Sequence, residues 1–174
     1  KIQDKETSSS VSLTIEGGNE TPLFSTVSPD VLDGTFISSH MSEGHSLTMI
    51  SDLVKKKKDY IVLEAIKKFD PRVNAIKVLP DGIYLDMEGI DELVQINAAG
   101  DGIRRFLNIV STIANFESKI VLIDEIENGL HFTAYKLLWQ SILTISEVTN
   151  VQLFITSHSM ETLKCLNEIL REES

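Results

Sequence analysis

Two adjacent carboxylates, a histidine and a pair of glycines are the residues whose types and order can do chemistry here. Asp124 and Glu125 follow the apolar run Ile120 to Ile123, His158 follows the segment VQLFITS, and Gly100 and Gly102 flank Asp101 in the stretch AAGDGIRR. Successive side chains on an extended segment diverge. One carboxylate can then serve a hydrated divalent cation such as Mg²⁺ while its neighbour orients a water for attack on a phosphate. A histidine nearby can hydrogen-bond that water or the terminal phosphate. Glycines before a helix permit close backbone approach, the helix N-terminus offers amides to an anion, and Arg104 or Arg105 adds positive charge.

Each of these features also has a plainer reading. A strand can end in acids by chance, and a glycine-containing loop before a helix is common. Ser157 or Ser159 can cap the helix that follows His158, with Glu161 in its first turn. Capping accounts for the serines but leaves the histidine unexplained.

The elements that would position these residues can be read from the pattern. Ile120 to Ile123 is a continuous apolar run, as a strand covered on both faces of a parallel sheet requires, and ligands bind where the carboxyl ends of such strands emerge. A helix is expected from about Ile103 to Phe116, another from about Phe132 to Val148, then the strand VQLFITS and a last helix from about Met160 to Arg171. Strand, helix, strand, helix in that order implies right-handed crossovers and a parallel sheet. Upstream, apolar positions from Leu47 to Phe69 recur at helical spacing and stop before Pro71. NAIKVL and IYLDM flank Pro80, Asp81 and Gly82, which predicts a β-hairpin, and VQI at 94–96 can add a strand. VSLTI at 11–15 alternates like a short strand, FISS at 36–39 like another, and SHMSEGHS after it reads as a loop.

Composition bounds the class. The 174 residues fit one domain, with 42% hydrophobic and 24% charged residues, a globular balance. No apolar run approaches the roughly 18 residues needed to cross a bilayer, so no membrane partner is expected. The lone Cys165 excludes an internal disulfide and fits a reducing, cytoplasmic compartment as a small core-boundary residue. A net charge of −10 repels nucleic acid unless a local basic patch overrides it. The four lysines 55–58 are the candidate patch, and they are expected to encircle a solvated helix.

In order and spacing, the three chemical segments resemble the C-terminal half of an ATP-binding head in the AAA-family ATPases of the ABC class, the group that includes SMC-type, RecF-type and OLD-type heads. By that resemblance AAGDGIRR stands in the signature motif, IVLIDE is the Walker B strand, ENGLH is the D-loop and FITSH carries the switch histidine. The resemblance covers about Asn74 to Leu166. It implies an α/β P-loop NTPase fold of the ABC-ATPase type, partial, with a parallel sheet flanked by helices, a β-hairpin and a helical subdomain. Residues 1–70 would be peripheral strands, loop and helical insertion, and 71–174 the C-terminal lobe. It further implies that Asp124 helps to hold Mg²⁺, that Glu125 polarises the hydrolytic water, and that His158 senses the γ-phosphate of ATP. Gly100, Asp101, Gly102 and Arg104 would face nucleotide bound to a second copy in a head-to-head homodimer, with Asn128 to His131 at the interface.

Two departures stand out. The signature serine of many such heads falls at Gly100, so Arg104 has to compensate for the missing hydroxyl. No GxxxxGK[ST] occurs in the sequence, so the backbone cradle for the α- and β-phosphates is lacking and the chain alone is expected to bind ATP weakly or not at all. The chain begins at Lys1 without a signal peptide, which reads as the C-terminal part of a longer ATPase whose P-loop lies on a missing N-terminal segment. DNA or a protein would be the partner that the ATP cycle acts on, in DNA-related or phage-defence work. Three readings compete: a non-catalytic interaction module of the same fold that has lost ATP, the ATPase part of an OLD-type nuclease, and a transporter subunit.

Overall fold

A computed structural model describes residues 33–38, 43–117 and 119–172; the strand expected at 11–15 lies outside them. Its centre is a three-stranded parallel sheet in the order β1, β5, β6, formed by Gly34–Ile37, Ile120–Ile123 and Gln152–Ile155. The strands are in register, so Ile37, Ile123 and Ile155 form one row. The carboxyl ends of all three strands therefore open at the same edge. β1 comes from the first 70 residues, yet it is an integral strand beside the one that carries Asp124. The fold is α/β, with helices flanking the parallel sheet, as a partial P-loop NTPase fold requires.

A second, antiparallel sheet joins β2 (Val73–Leu79), β3 (Gly82–Met87) and β4 (Val94–Gln95). Leu79 pairs with Gly82, so the turn expected at Pro80 and Asp81 closes the hairpin. The alternating strand β3 turns Ile83, Leu85 and Met87 inward, all buried.

Five helices complete the described residues: α1 (Glu43–Lys55), α2 (Asp59–Phe69), α3 (Asp101–Asn115), α4 (Tyr135–Thr149) and α5 (Met160–Glu172). α3 is the axis of the molecule, because α1, α2 and α4 all pack on it. Its sequence allows this: from Phe106 to Ala114 every residue is buried, with Asn108, Ser111 and Thr112 as the polar members. Ser111 and Thr112 avoid stranding their hydroxyls by donating to the carbonyl of Asn108, at 3.2 and 2.8 Å. α4 and α5 are joined by a buried hydrogen bond from Trp139 Nε1 to the Thr162 carbonyl at 3.0 Å.

Three local expectations are corrected. α1 starts at Glu43, so the second half of the expected loop SHMSEGHS is helical. The run Lys55 to Lys58 does not encircle a helix: Lys55 ends α1, Lys57 takes φ 57° and Lys58 precedes α2. A tight turn separates the two helices, and Lys55, Lys56 and Lys58 pair with Asp52, Asn115 and Glu117. The helix expected from Phe132 opens with a 3-10 turn over Phe132–Ala134 before α4 proper. Cys165 lies at the core boundary, and burial raises its thiol pKa.

Phe106 is fully buried and its ring packs on Phe69 with centroids 4.6 Å apart. Phe106→Ala is expected to lower the unfolding free energy by about 3–5 kcal/mol, measured by urea denaturation followed by circular dichroism.

Candidate functional site

The turn after β5 is where the chemical residues meet. Asp124 remains tied to the sheet edge by its N–H to the Ile37 carbonyl at 2.9 Å. Glu125 does not continue the strand: its φ is 45°, a left-handed conformation that costs an L-residue about 1–2 kcal/mol. The expected divergence of two extended neighbours is thus replaced by a sharp backbone turn. Such strain persists only where the surroundings over-determine it, and four contacts do so. The Glu125 N–H donates to Thr156 Oγ1 at 2.9 Å, Ile126 N–H donates to the Thr156 carbonyl at 3.2 Å, and Asn128 N–H donates to the Glu125 carbonyl at 2.9 Å. The fourth contact is Arg105.

Arg105 is buried, and its guanidinium donates to the carbonyls of Ser38 at 2.6 Å, Asp124 at 2.9 Å and Glu125 at 3.4 Å. It thereby joins α3 to the ends of β1 and β5. Burial lowers its pKa, and the charges of Asp124, Glu125 and Glu127 oppose that shift. Its neighbour Arg104 instead turns to Asp101, 2.7 Å away on the exposed first turn of α3. Of the two arginines, the one that reaches the acids is therefore Arg105.

Thr156, at the carboxyl end of β6, bridges the two acids. Its hydroxyl accepts from the Glu125 N–H and donates to Asp124 Oδ1 at 2.7 Å. The donor set suits Mg²⁺, which is held by one or two carboxylates together with substrate phosphates and waters: Asp124 projects from the sheet edge with one oxygen engaged. No group of three or more acidic, histidine or cysteine side chains able to hold a metal occurs among the described residues, so a protein-only cage is absent there. The contribution of this chain to such an ion would be Asp124.

His158 follows two residues later. Its Nε2 lies 3.9 Å from Glu125 Oε1, and its side chain is 81% exposed against 39% for Glu125. That separation exceeds a hydrogen bond, so the two polar groups are neighbours at the exposed edge without bonding each other. Ser159, not Ser157, caps α5, accepting from Thr162 N–H at 3.2 Å. Glu127 accepts the His158 backbone N–H at 2.7 Å. Burial would raise the carboxyl pKa of Glu127, but the amides of residues 127, 158 and 159 and the Ser157 hydroxyl outweigh it and hold the pKa below the ordinary range.

The glycine loop sits beside this turn within the same chain. Gly100 takes φ 103° before α3, and a Cβ on Gly102 would lie 3.7 Å from the Gly129 carbonyl. Asn128 contributes its backbone to the turn. Asp124, Glu125, Thr156 and His158 thus converge at one sheet edge, while Gly102 packs on the segment that follows them and Asp101 and Arg104 stand on the exposed start of α3. Sequence reasoning assigned no role to Thr156 and Glu127 and left Arg105 as an alternative to Arg104. The available signals were the threonine at a strand end and the position of Arg105 on the apolar stripe of α3.

Comparison with known proteins places the chain in a family. A family model described as an AAA ATPase domain matches residues 34–162. The chain belongs to that AAA ATPase family. It is 33% identical over 112 residues to a protein of Helicobacter pylori named ATP/GTP phosphatase, a match over 62% of this chain and 30% of the relative. The chain therefore spans less than a third of that relative's length. No solved structure matches it.

Two outcomes follow for the site. Arg105→Met leaves three carbonyls without their charged donor and is expected to cost about 3 kcal/mol in urea unfolding. Arg105→Lys keeps the charge but cannot span all three acceptors, and should cost less. Because the folded pKa of Glu127 is depressed, its contribution to stability is full at neutral pH. It falls below pH 4.5, the ordinary value, and is lost once pH passes the lower folded pKa. Glu127→Gln should flatten that part of the acid limb when unfolding free energy is measured against pH.

Proposed function

We propose that this chain is the catalytic lobe of an ABC-class ATPase that hydrolyses ATP with Mg²⁺. The observation that carries the reading is the convergence of Asp124, Glu125 and His158 at the carboxyl ends of neighbouring parallel strands, with Thr156 tying the two acids together. Family membership and a relative named ATP/GTP phosphatase support hydrolysis of a nucleoside triphosphate.

In this reading Glu125 accepts a hydrogen bond from the attacking water and takes up its proton as the water oxygen forms a bond to the γ-phosphorus. The bond from the γ-phosphorus to the β,γ-bridging oxygen breaks, its electron pair leaves with ADP, and the proton ends on phosphate or solvent. His158 donates to a γ-phosphate oxygen or to the water. Mg²⁺, when bound, neutralises charge that develops on the β- and γ-phosphate oxygens. Asp124 would hold that ion, oriented by the Thr156 hydroxyl.

The phosphate cradle comes, in this reading, from a P-loop on a segment outside these 174 residues. Gly100, Asp101, Gly102, Arg104 and Asn128 face nucleotide carried by a second copy, so turnover requires a head-to-head homodimer. In this reading residues 71–174 form the catalytic lobe, to which β1 adds a strand beside β5. Action on DNA or in phage defence rests on the resemblance alone. The interaction-module reading is favoured by one observation, the lack of GxxxxGK[ST] in the sequence.

Calorimetric titration with ATP and Mg²⁺ separates these readings. Binding is expected only when this chain is joined to or mixed with the segment that carries the P-loop, and no binding in either form would favour the interaction module. In the hydrolysing protein, Glu125→Gln should lower kcat by about 10²-fold or more while ATP binding persists and a dimer accumulates in size-exclusion chromatography. Wild-type turnover by that variant would overturn the assignment. His158→Ala should slow hydrolysis without lowering the melting temperature.

A further inference from the structure

His158 has an exposed side chain, so packing does not fix where its imidazole stands; its backbone must. That backbone is held on both flanks. Thr156 N–H donates to the Ile123 carbonyl at 2.9 Å on one side, and on the other Ser159 caps α5 while its own N–H donates to Ser157 Oγ at 3.1 Å. Between these anchors the His158 N–H has a side-chain acceptor, Glu127 Oε1 at 2.7 Å, the short distance of a charge-assisted bond. Glu127 lies two residues beyond Glu125 on the same strained turn.

The second oxygen of Glu127 is informative. Its Oε2 is buried and makes no hydrogen bond of its own, while the nearby amides and the Ser157 hydroxyl favour the ionised carboxyl. We propose that Glu127 is a positioning residue for hydrolysis: its carboxylate locks the β6–α5 loop to the turn after β5 and so sets His158 against Glu125. The two groups then move as one unit when a triphosphate binds beside them. This assignment rests on the ATPase reading above and adds to it a residue that touches neither the water nor the phosphate.

The test compares Glu127→Ala and Glu127→Gln with wild type in the ATP-hydrolysing protein, using kcat and KM for ATP together with the ¹⁵N–¹H resonance of the His158 amide. Expected for Glu127→Ala is a kcat at least about tenfold lower, as misplacement of a reacting group by an ångström produces, with KM within about twofold. The His158 amide resonance should move upfield in Glu127→Ala as the charged acceptor is lost. Glu127→Gln retains an acceptor oxygen and should fall between wild type and Glu127→Ala in both readouts. Wild-type kcat in Glu127→Ala, or an unmoved His158 amide in both variants, would overturn the proposal. So would a parallel change in kcat and KM that follows the melting temperature in both. A Glu125→Gln control separates the two levels. If it still turns over, the hydrolysis reading itself fails; if it is dead while Glu127→Ala is unaffected, only the positioning role fails.

Discussion

The site depends on one strained backbone position. Glu125 sits at φ 45°, where a non-glycine residue is unfavourable, and nothing local in the sequence DEIEN offers a conformational reason to adopt it. The turn survives because groups from three separate parts of the chain converge on it: the Arg105 guanidinium from α3, the Thr156 hydroxyl and carbonyl from β6, and the Asn128 amide from the turn itself. The conformation is therefore a tertiary property. It directs the Glu125 carboxylate away from the strand and toward His158, where an extended backbone would have continued the pleat.

Arg105 ties that turn to the rest of the molecule because α3 is held from several sides. Adjacent residues on a helix point about 100° apart, so Arg104 and Arg105 cannot share a role. The phase of α3 is set by Ile103, Phe106, Leu107 and Val110, all buried, and it carries Arg105 inward beneath the β5 turn while Arg104 emerges beside Asp101. A buried guanidinium is tolerable when its donors are used. Here Nη1 and Nη2 bond carbonyls from the ends of β1 and β5, groups that the sheet ladder leaves exposed at its carboxyl edge, while Nε is buried without a partner. The same contact that stabilises Arg105 thus completes the backbone hydrogen bonding of the site.

This explains which parts could be read in the sequence. Continuous apolar runs and helical spacing marked β5, β6 and α3 to α5 within a few residues, because a parallel sheet with covering helices imposes those periods directly. Pro80, Asp81 and Gly82 marked the hairpin because turn geometry is local. Asp124, Glu125 and His158 were visible from their place at strand ends. The left-handed turn at Glu125, the Thr156 bridge and the Glu127 link to His158 were not, since each joins residues about 31 positions apart and depends on how two strand ends abut. The choice between Arg104 and Arg105 was within reach, because the apolar stripe of α3 fixes which of two neighbours turns inward. The lysine run failed for the opposite reason: four identical side chains carry no signal for the turn that separates α1 from α2.

Charge sets a further condition on the proposed chemistry. Around the turn stand three carboxylates, Asp124, Glu125 and Glu127, and Arg105, which approaches them, is buried and turns its two terminal nitrogens to carbonyls. The described edge is thus poor in cations aimed outward, and a triphosphate bearing three to four negative charges would meet repulsion there. An ATPase built on this edge has to import its positive charge, from the divalent ion that arrives with the nucleotide and from basic groups outside the described residues. The electrostatics and the lack of a P-loop motif in the sequence therefore lead to the same conclusion by independent routes. In the proposed reading this lobe supplies the base, the metal-orienting carboxylate and the phosphate-sensing histidine, and the cradle that makes nucleotide binding favourable is supplied from elsewhere.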